Sequence, residues 1–140
     1  VFRYQRKVSG PLMDRIDIQL QVPRVNTEEL HTARGGERGN DDRFRAKVAR
    51  ARAFQTERFK KHERTLFANS EMNSREVEQF VTLEEEADTL LKRALDRSLL
   101  SPRAYYRVLK VARTIADIDQ EKRITASHLS EALQYRVKQE

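Results

Sequence analysis

SPRAYYRVLKVARTIADI, residues 101–118, decides the fold class of this chain. Ser101 is a ready N-cap, and Pro102 falls at the first helical position, where a missing N–H costs nothing. Tyr105, Val108, Leu109, Ala112, Ile115, Ala116 and Ile118 then recur at helical spacing and form a wide apolar stripe. A helix with so broad a buried face asks for other helices to cover it.

The flanking sequence supplies them. A long helix is expected over about Asp41 to Lys61, capped by Asn40 or Asp41. Its inward stripe reads Phe44, Val48, Ala51, Gln55 and Phe59, with Phe54 beside it, and its other faces carry Arg43, Lys47, Arg50, Arg58 and Lys61. Asn73 and Glu76 have capping-box spacing and open a short helix over 74–80. Thr82 and Glu85 repeat the device before a third helix, whose apolar face is Leu83, Ala87, Leu90, Leu91, Ala94 and Leu95. Thr125 caps a last helix that turns Leu129, Ala132, Leu133 and Val137 inward. The expected fold is therefore mainly α, with the helices of 73–138 joined closely enough to fold as a unit.

The first 40 residues read differently. Residues 3–14 predict a short helix interrupted near Gly10-Pro11. Ile16, Ile18, Leu20 and Val22 alternate with Asp17, Gln19 and Gln21, which predicts a half-buried strand ended by Pro23. Such a strand needs a sheet to pair with. Residues 26–30 fit a helical turn, and ARGGERGN, 33–40, reads as a flexible loop between this region and the bundle. The chain opens VFRYQRKVSG, without an initiator Met, and reads as a piece of a longer protein.

Composition narrows the function classes. The chain has 140 residues, 38% hydrophobic and 36% charged, with four Gly, three Pro and no Cys. Disulfides, thiolate zinc sites and cysteine nucleophiles are excluded. No apolar run approaches the length of a membrane span and no signal-peptide pattern occurs, so no membrane partner and a cytoplasmic location are expected. The formal charge is +6, unevenly spread: residues 41–64 hold nine Lys/Arg against four Asp/Glu, and 71–97 hold eight acids against four bases. The basic stretch fits either phosphates or an acidic partner surface, or is simply a solvated helix face.

Catalytic motifs are missing. There is no GxxxxGK[ST] and no HExxH, and His31, His62 and His128 stand far apart. Glu84-Glu85-Glu86 fits a helix N-terminus, where it complements the dipole. Two arginines stand out instead. Arg15 lies at the junction before the expected strand, and Arg103 lies in the first turn of its helix, where a cation is unfavourable. Each answers either to a local salt bridge or to a bound anion, for which a guanidinium offers a rigid, always-charged fork of donors.

Three stretches carry a family resemblance: YQRKVSGPLMDRIDIQLQVPRV (4–25), AYYRVLKVARTIADI (104–118) and ITASHLSEALQYR (124–136). Together they resemble the C-terminal part of the magnesium chelatase-like AAA+ ATPases, the group that includes the ComM-like competence proteins. The resemblance implies that residues 1–25 are a remnant of the ATPase core with its last strand, 26–40 a linker, and 41–140 the helical lid. It implies that Arg15 is the arginine finger, reaching the ATP of a neighbouring subunit, with Asp14 and Asp17 beside it. It implies that Arg103 is the sensor-2 arginine, touching the γ-phosphate in its own subunit. Met13 replaces a common Leu in the first motif. ATP and Mg2+ would serve the intact parent, a homo-oligomeric and hexameric ring, while none is expected to bind or be hydrolysed by these 140 residues alone. The ComM-like branch implies DNA as a candidate partner, through helicase or branch-migration work. A chelatase-type motor that inserts metal into a porphyrin, and a stand-alone helical nucleic-acid-binding module, are the alternatives.

Overall fold

The computed structural model describes residue 12, residues 15–20, residue 22, residues 40–97 and residues 100–136. Among them are five α-helices: α1 (Asn40–Phe59), α2 (Ser74–Phe80), α3 (Glu85–Asp96), α4 (Pro102–Ile118) and α5 (Ala126–Gln134). A short 3-10 turn, Asn69–Glu71, sits between α1 and α2. The expected mainly helical bundle is found, and α4 is its axis, packed against α1, α2, α5 and the 3-10 turn. The third helix, α3, reaches the bundle through α5.

Local chemistry explains most helix starts. The Asn73 side chain accepts from the Glu76 N–H at 3.0 Å, and Glu76 accepts from the Asn73 N–H at 2.6 Å, completing the expected box. Ser101 Oγ accepts from the Ala104 N–H at 3.2 Å, with Pro102 at the first position. Thr125 caps α5 through a box whose other member is His128: the Thr125 N–H donates to His128 Nδ1. That places the ring hydrogen on Nε2, which donates to Asp119 at 3.2 Å.

The Thr82–Glu85 box does not form. Glu84 stands at the N-cap of α3 with no side-chain cap. Residues 82–84 are instead extended against Ile124. The Ile124 N–H donates to the Thr82 carbonyl, the Glu84 N–H donates to the Ile124 carbonyl, both at 2.9 Å, and Leu83 bridges Ile124 in parallel. A tertiary pairing outcompetes a local cap here. It also fixes Ile124 in the core, where its burial contributes about 2 kcal/mol.

The expected strand over 16–22 is another difference. No strand is seen among the described residues, and Ile16, Ile18, Leu20 and Val22 are all exposed. A period-two pattern becomes a strand only beside a ladder. Here the Gln19 N–H donates to the Tyr135 carbonyl at 2.8 Å, a tie to the end of α5 and not to a neighbouring strand. The helix expected over 3–14 falls outside the described residues except for Leu12, which is helical. The turn at 26–30, the loop at 33–39, and Val137 also lie outside them.

The stripe of α1 is covered over half its length only. Ala51, Gln55 and Phe59 are buried, whereas Phe44 and Val48 are exposed. Arg58, expected on a solvated basic face, points inward instead. Its guanidinium grips Asp117 of α4 through both Nη atoms, and Nη1 also donates to Asn69 Oδ1 at 2.9 Å. The Asp117 side chain has no exposed surface. It also accepts from Arg113 Nε at 3.1 Å and from Asn69 Nδ2 at 2.7 Å.

Arg113 is itself fully buried. Burial pushes its guanidinium below the usual arginine value, and the Asp117 charge opposes that. Its remaining donors go to the carbonyls of Lys122, at 2.7 Å, and Glu121. Those carbonyls face it because α4 ends in a Schellman turn: Glu121 N–H to Ala116 carbonyl at 2.8 Å and Gln120 N–H to Asp117 carbonyl at 3.2 Å. Gln120 takes φ 62°, a left-handed conformation usually left to Gly.

A second buried carboxylate holds the α1–α2 connection. Glu76 accepts from Arg64 Nε at 2.8 Å and Nη2 at 2.6 Å, and lies 3.0 Å from His62 Nε2. The Phe59 and Phe80 rings meet edge to face beside it, with centroids 5.2 Å apart.

Both carboxylates can be tested by substitution. Asp117→Ala leaves Arg58 and Arg113 buried without their anion, and urea unfolding should show a loss of about 3–5 kcal/mol; a loss under about 1 kcal/mol would contradict the geometry. Arg64 in the first place holds the Glu76 carboxyl at about 2, below its ordinary 4.5. A depressed pKa means stability is fully present above about 4.5 and drains away as pH falls toward about 2. The melting temperature should fall across that window, and less steeply in Glu76→Gln.

Candidate functional site

One face of α4 carries a polar ribbon. Arg103, Arg107, Lys110, Thr114 and Asp117 recur three or four residues apart, which aligns them on one side of the helix. The inner end of the ribbon is the Asp117 cluster. Next to it Thr114 Oγ1 accepts from Asn69 Nδ2 at 3.0 Å. Lys110 donates to the Ser70 carbonyl at 3.0 Å, and its burial lowers its pKa. Arg107 Nη1 then donates to the Arg15 carbonyl at 2.7 Å and pairs with the Asp17 carboxylate. The outer end is Arg103.

The two arginines that stand out in the sequence have different settings. Arg103 is exposed at the second position of α4, one turn before Arg107, and that first turn holds no acid. Among the described residues no hydrogen-bond or ion-pair partner meets its guanidinium. The local salt bridge that would have explained a cation at a helix N-terminus is therefore not found there. Arg15 follows a tight turn, its N–H donating to the Leu12 carbonyl at 3.0 Å. Its side chain is exposed, and its backbone is what binds α4. Of the acids beside it, Asp17 is engaged with Arg107, and Asp14 lies outside the described residues. Sequence reasoning misses Arg107, which joins the two regions; its i+4 spacing from Arg103 is the one available signal.

Both guanidinium groups fit an anion chemically. They are exposed, permanently charged and left with donors to offer. Among the described residues no group of three or more His, Asp or Glu side chains is arranged to hold a metal ion. Of the histidines there, His62 serves Glu76 and His128 serves the α5 cap. No helix among the described residues is long and apolar enough to cross a membrane.

A third feature is the uncovered half of α1. Arg43, Arg45 and Arg50 are exposed and Lys47 is half-buried, and no carboxylate pairs with any of the four among the described residues. Beside Arg45 a shallow depression of about 420 Å³ is lined by Asp41, Phe44, Arg45, Val48 and Ala49.

Comparison with known proteins places this arrangement. The family model for the C-terminal part of magnesium chelatase subunit ChlI matches residues 40–136, and the model for magnesium chelatase subunit ChlI matches residues 1–30. The chain belongs to the magnesium chelatase-like AAA+ ATPase family, as a C-terminal part. Competence protein ComM of Haemophilus influenzae is 39% identical over 137 residues, which cover 97% of this chain and 25% of that protein. YifB of Escherichia coli is 42% identical over 135 residues, covering 96% and 25%, and YifB of Salmonella typhimurium is 35% identical over 136, again 96% and 25%. The chain thus spans about a quarter of the length of the curated relatives it matches. The magnesium chelatase C-terminal match begins at the first residue of α1 and ends just past α5, so it takes in every helix of the bundle.

The side chains of Arg15 and Arg103 are exposed and make no hydrogen bond or ion pair among the described residues. Alanine at either position should change the free energy of unfolding in urea by less than about 0.5 kcal/mol. A loss above about 1.5 kcal/mol at Arg103 would show a structural partner in place of a ligand.

Proposed function

We propose that this chain is the lid-bearing C-terminal part of a ring-forming AAA+ ATPase that acts on DNA. In this reading residues 1–25 close the ATPase core and 26–40 link it to the lid at 41–140. The observation that carries it is Arg103: an exposed guanidinium on the first turn of the central helix, with no acid in that turn and no partner among the described residues.

ATP with its magnesium ion supplies the phosphoryl group whose transfer to water drives such a motor. Arg103 binds negative charge from the lid side, as sensor 2 of its own subunit. Ser101 and Pro102 fix the helix start from which Arg103 projects. Arg15 supplies positive charge to the site of the neighbouring subunit, where it stabilises charge that develops on the transferred group. The sequence holds no phosphate-cradling loop of its own, so hydrolysis needs the rest of the parent. A site completed by a neighbour's arginine requires a head-to-tail contact, and closed rings are built from such contacts.

DNA is favoured over a porphyrin metal-insertion role by Arg43, Arg45, Lys47 and Arg50 on α1, which no carboxylate pairs among the described residues and which are suited to phosphates. The name of the Haemophilus relative, a competence protein, agrees with that choice.

In the intact parent, Arg15→Ala should lower kcat for ATP by about 10³-fold or more while the nucleotide Kd stays unchanged. A kcat close to that of the unaltered protein would contradict the finger. For the DNA reading, alanine at Arg43, Arg45, Lys47 and Arg50 together should reduce the slope of log K against log salt by about 3 to 4. An unaltered slope, or ATP hydrolysis indifferent to DNA, would favour the metal-insertion motor.

A further inference from the structure

Arg107 spends one nitrogen on two acceptors from the same short segment: the main-chain carbonyl of Arg15 and the carboxylate of Asp17. The pair is partly shielded, with the Arg107 side chain 24% exposed and that of Asp17 47% exposed. An exposed ion pair alone contributes little to stability. The main-chain bond is what distinguishes this contact, because it fixes the peptide plane of Arg15 and so the direction in which that side chain leaves the backbone. The turn is closed on its other side by the Arg15 N–H to the Leu12 carbonyl, and the segment meets the end of α5 through Gln19 and Tyr135. Further along the ribbon, α4 is anchored by Lys110, Thr114 and Asp117, the last of them buried.

We propose that Arg107 is a positioning residue that fastens the Arg15 turn to α4, so that Arg15 and Arg103 move as one piece. This rests on the reading of Arg15 as a finger and Arg103 as sensor 2. Its consequence is a route between neighbouring sites. Arg103 and Arg107 are one turn apart on a single helix, so a displacement of α4 set by nucleotide in one subunit carries the Arg15 turn with it. Arg15 faces the next subunit, whose rate then depends on the state of the first. Lys replaces Arg107 only in part: one ammonium nitrogen can serve both acceptors, but it sits on a flexible stem and lacks the rigid plane that holds the guanidinium in one orientation.

The absence of Cys makes a clean test available. A spin label on Ile16→Cys, an exposed position between the two acceptors, reports the motion of the turn. Adding Arg107→Ala should raise label mobility, Arg107→Lys should raise it less, and Arg103→Ala should leave it unchanged. Should Arg107→Ala fail to fold by circular dichroism, Asp17→Ala frees the turn from the other side and should raise mobility too. In the intact parent, Arg107→Ala should take the Hill coefficient for ATP hydrolysis toward 1 and lower kcat about tenfold, which is about 1.4 kcal/mol, with nucleotide Kd unchanged.

Unchanged label mobility in both Arg107→Ala and Asp17→Ala overturns the clamp, whatever Arg15 does. Raised mobility with an unchanged Hill coefficient and kcat overturns the coupling. The finger reading is judged separately by Arg15→Ala: if that variant hydrolyses ATP normally while Arg107→Ala still frees the label, the finger fails and the clamp remains.

Discussion

Asp117 is a carboxylate with no exposed surface, and two arginines from different parts of the chain must reach it. Left alone, it would cost several kcal/mol in desolvation. Arg58 comes from the end of α1 and Arg113 from the preceding turn of α4, while Asn69 adds an amide from the 3-10 turn. Two guanidinium groups on one carboxylate leave a positive charge over, and that excess is met by the Asn69 side-chain oxygen and the carbonyls of residues 121 and 122. Each partner is therefore constrained by the others. The left-handed Gln120 is one consequence: without the turn it makes, the two carbonyls would not face Arg113. Such a network adds less to net stability than hydrophobic packing of the same volume would, but it tolerates few alternative arrangements.

The same constraint reaches the outer end of the α4 ribbon. Asp117 holds its inner end, and Thr114 and Lys110 continue it along the 3-10 turn. By Arg107 and Arg103 the ribbon has left the core. The outer turn still presents Arg103 to solvent, while Ala104 is buried and Arg107 is tied to the Arg15 turn. The tight packing of Ala104, Val108 and Ala112, all buried, makes α4 move as a rod and not by local bending.

The caps of α2, α4 and α5 are legible in the sequence because each depends on residues within one turn: Asn73 with Glu76, Ser101 with Pro102, Thr125 with the first turn of α5. The differences between sequence and structure share another cause. Thr82 has the spacing of a cap, but Ile124, some forty residues away, claims its segment. Ile16 to Val22 have the period of a strand, and no ladder meets them among the described residues. Arg58 reads as a solvent-facing cation because charge usually lies at the surface, yet its partner Asp117 stands 59 positions away. Arg113 and Asp117 are hidden in sequence by the apolar residues that run from Ala112 to Ile118 around them. Pattern alone makes neither Arg15 nor Arg103 a phosphate ligand. The roles proposed for them come from family resemblance, and the geometry leaves Arg103 without a partner among the described residues.

The functional reading rests on Arg15 acting in trans, on a site its own subunit does not own. The direct measurement is ATP hydrolysis by mixed rings of the intact parent. One subunit type carries Arg15→Ala, and the other carries an inactivated phosphate-binding loop with Arg15 intact. Each alone should be inactive. Mixed, they should regain a fraction of the activity, because intact loops then meet intact arginines across a shared boundary. Activity that stays at background across all mixing ratios, with mixed rings shown to assemble, would contradict the account.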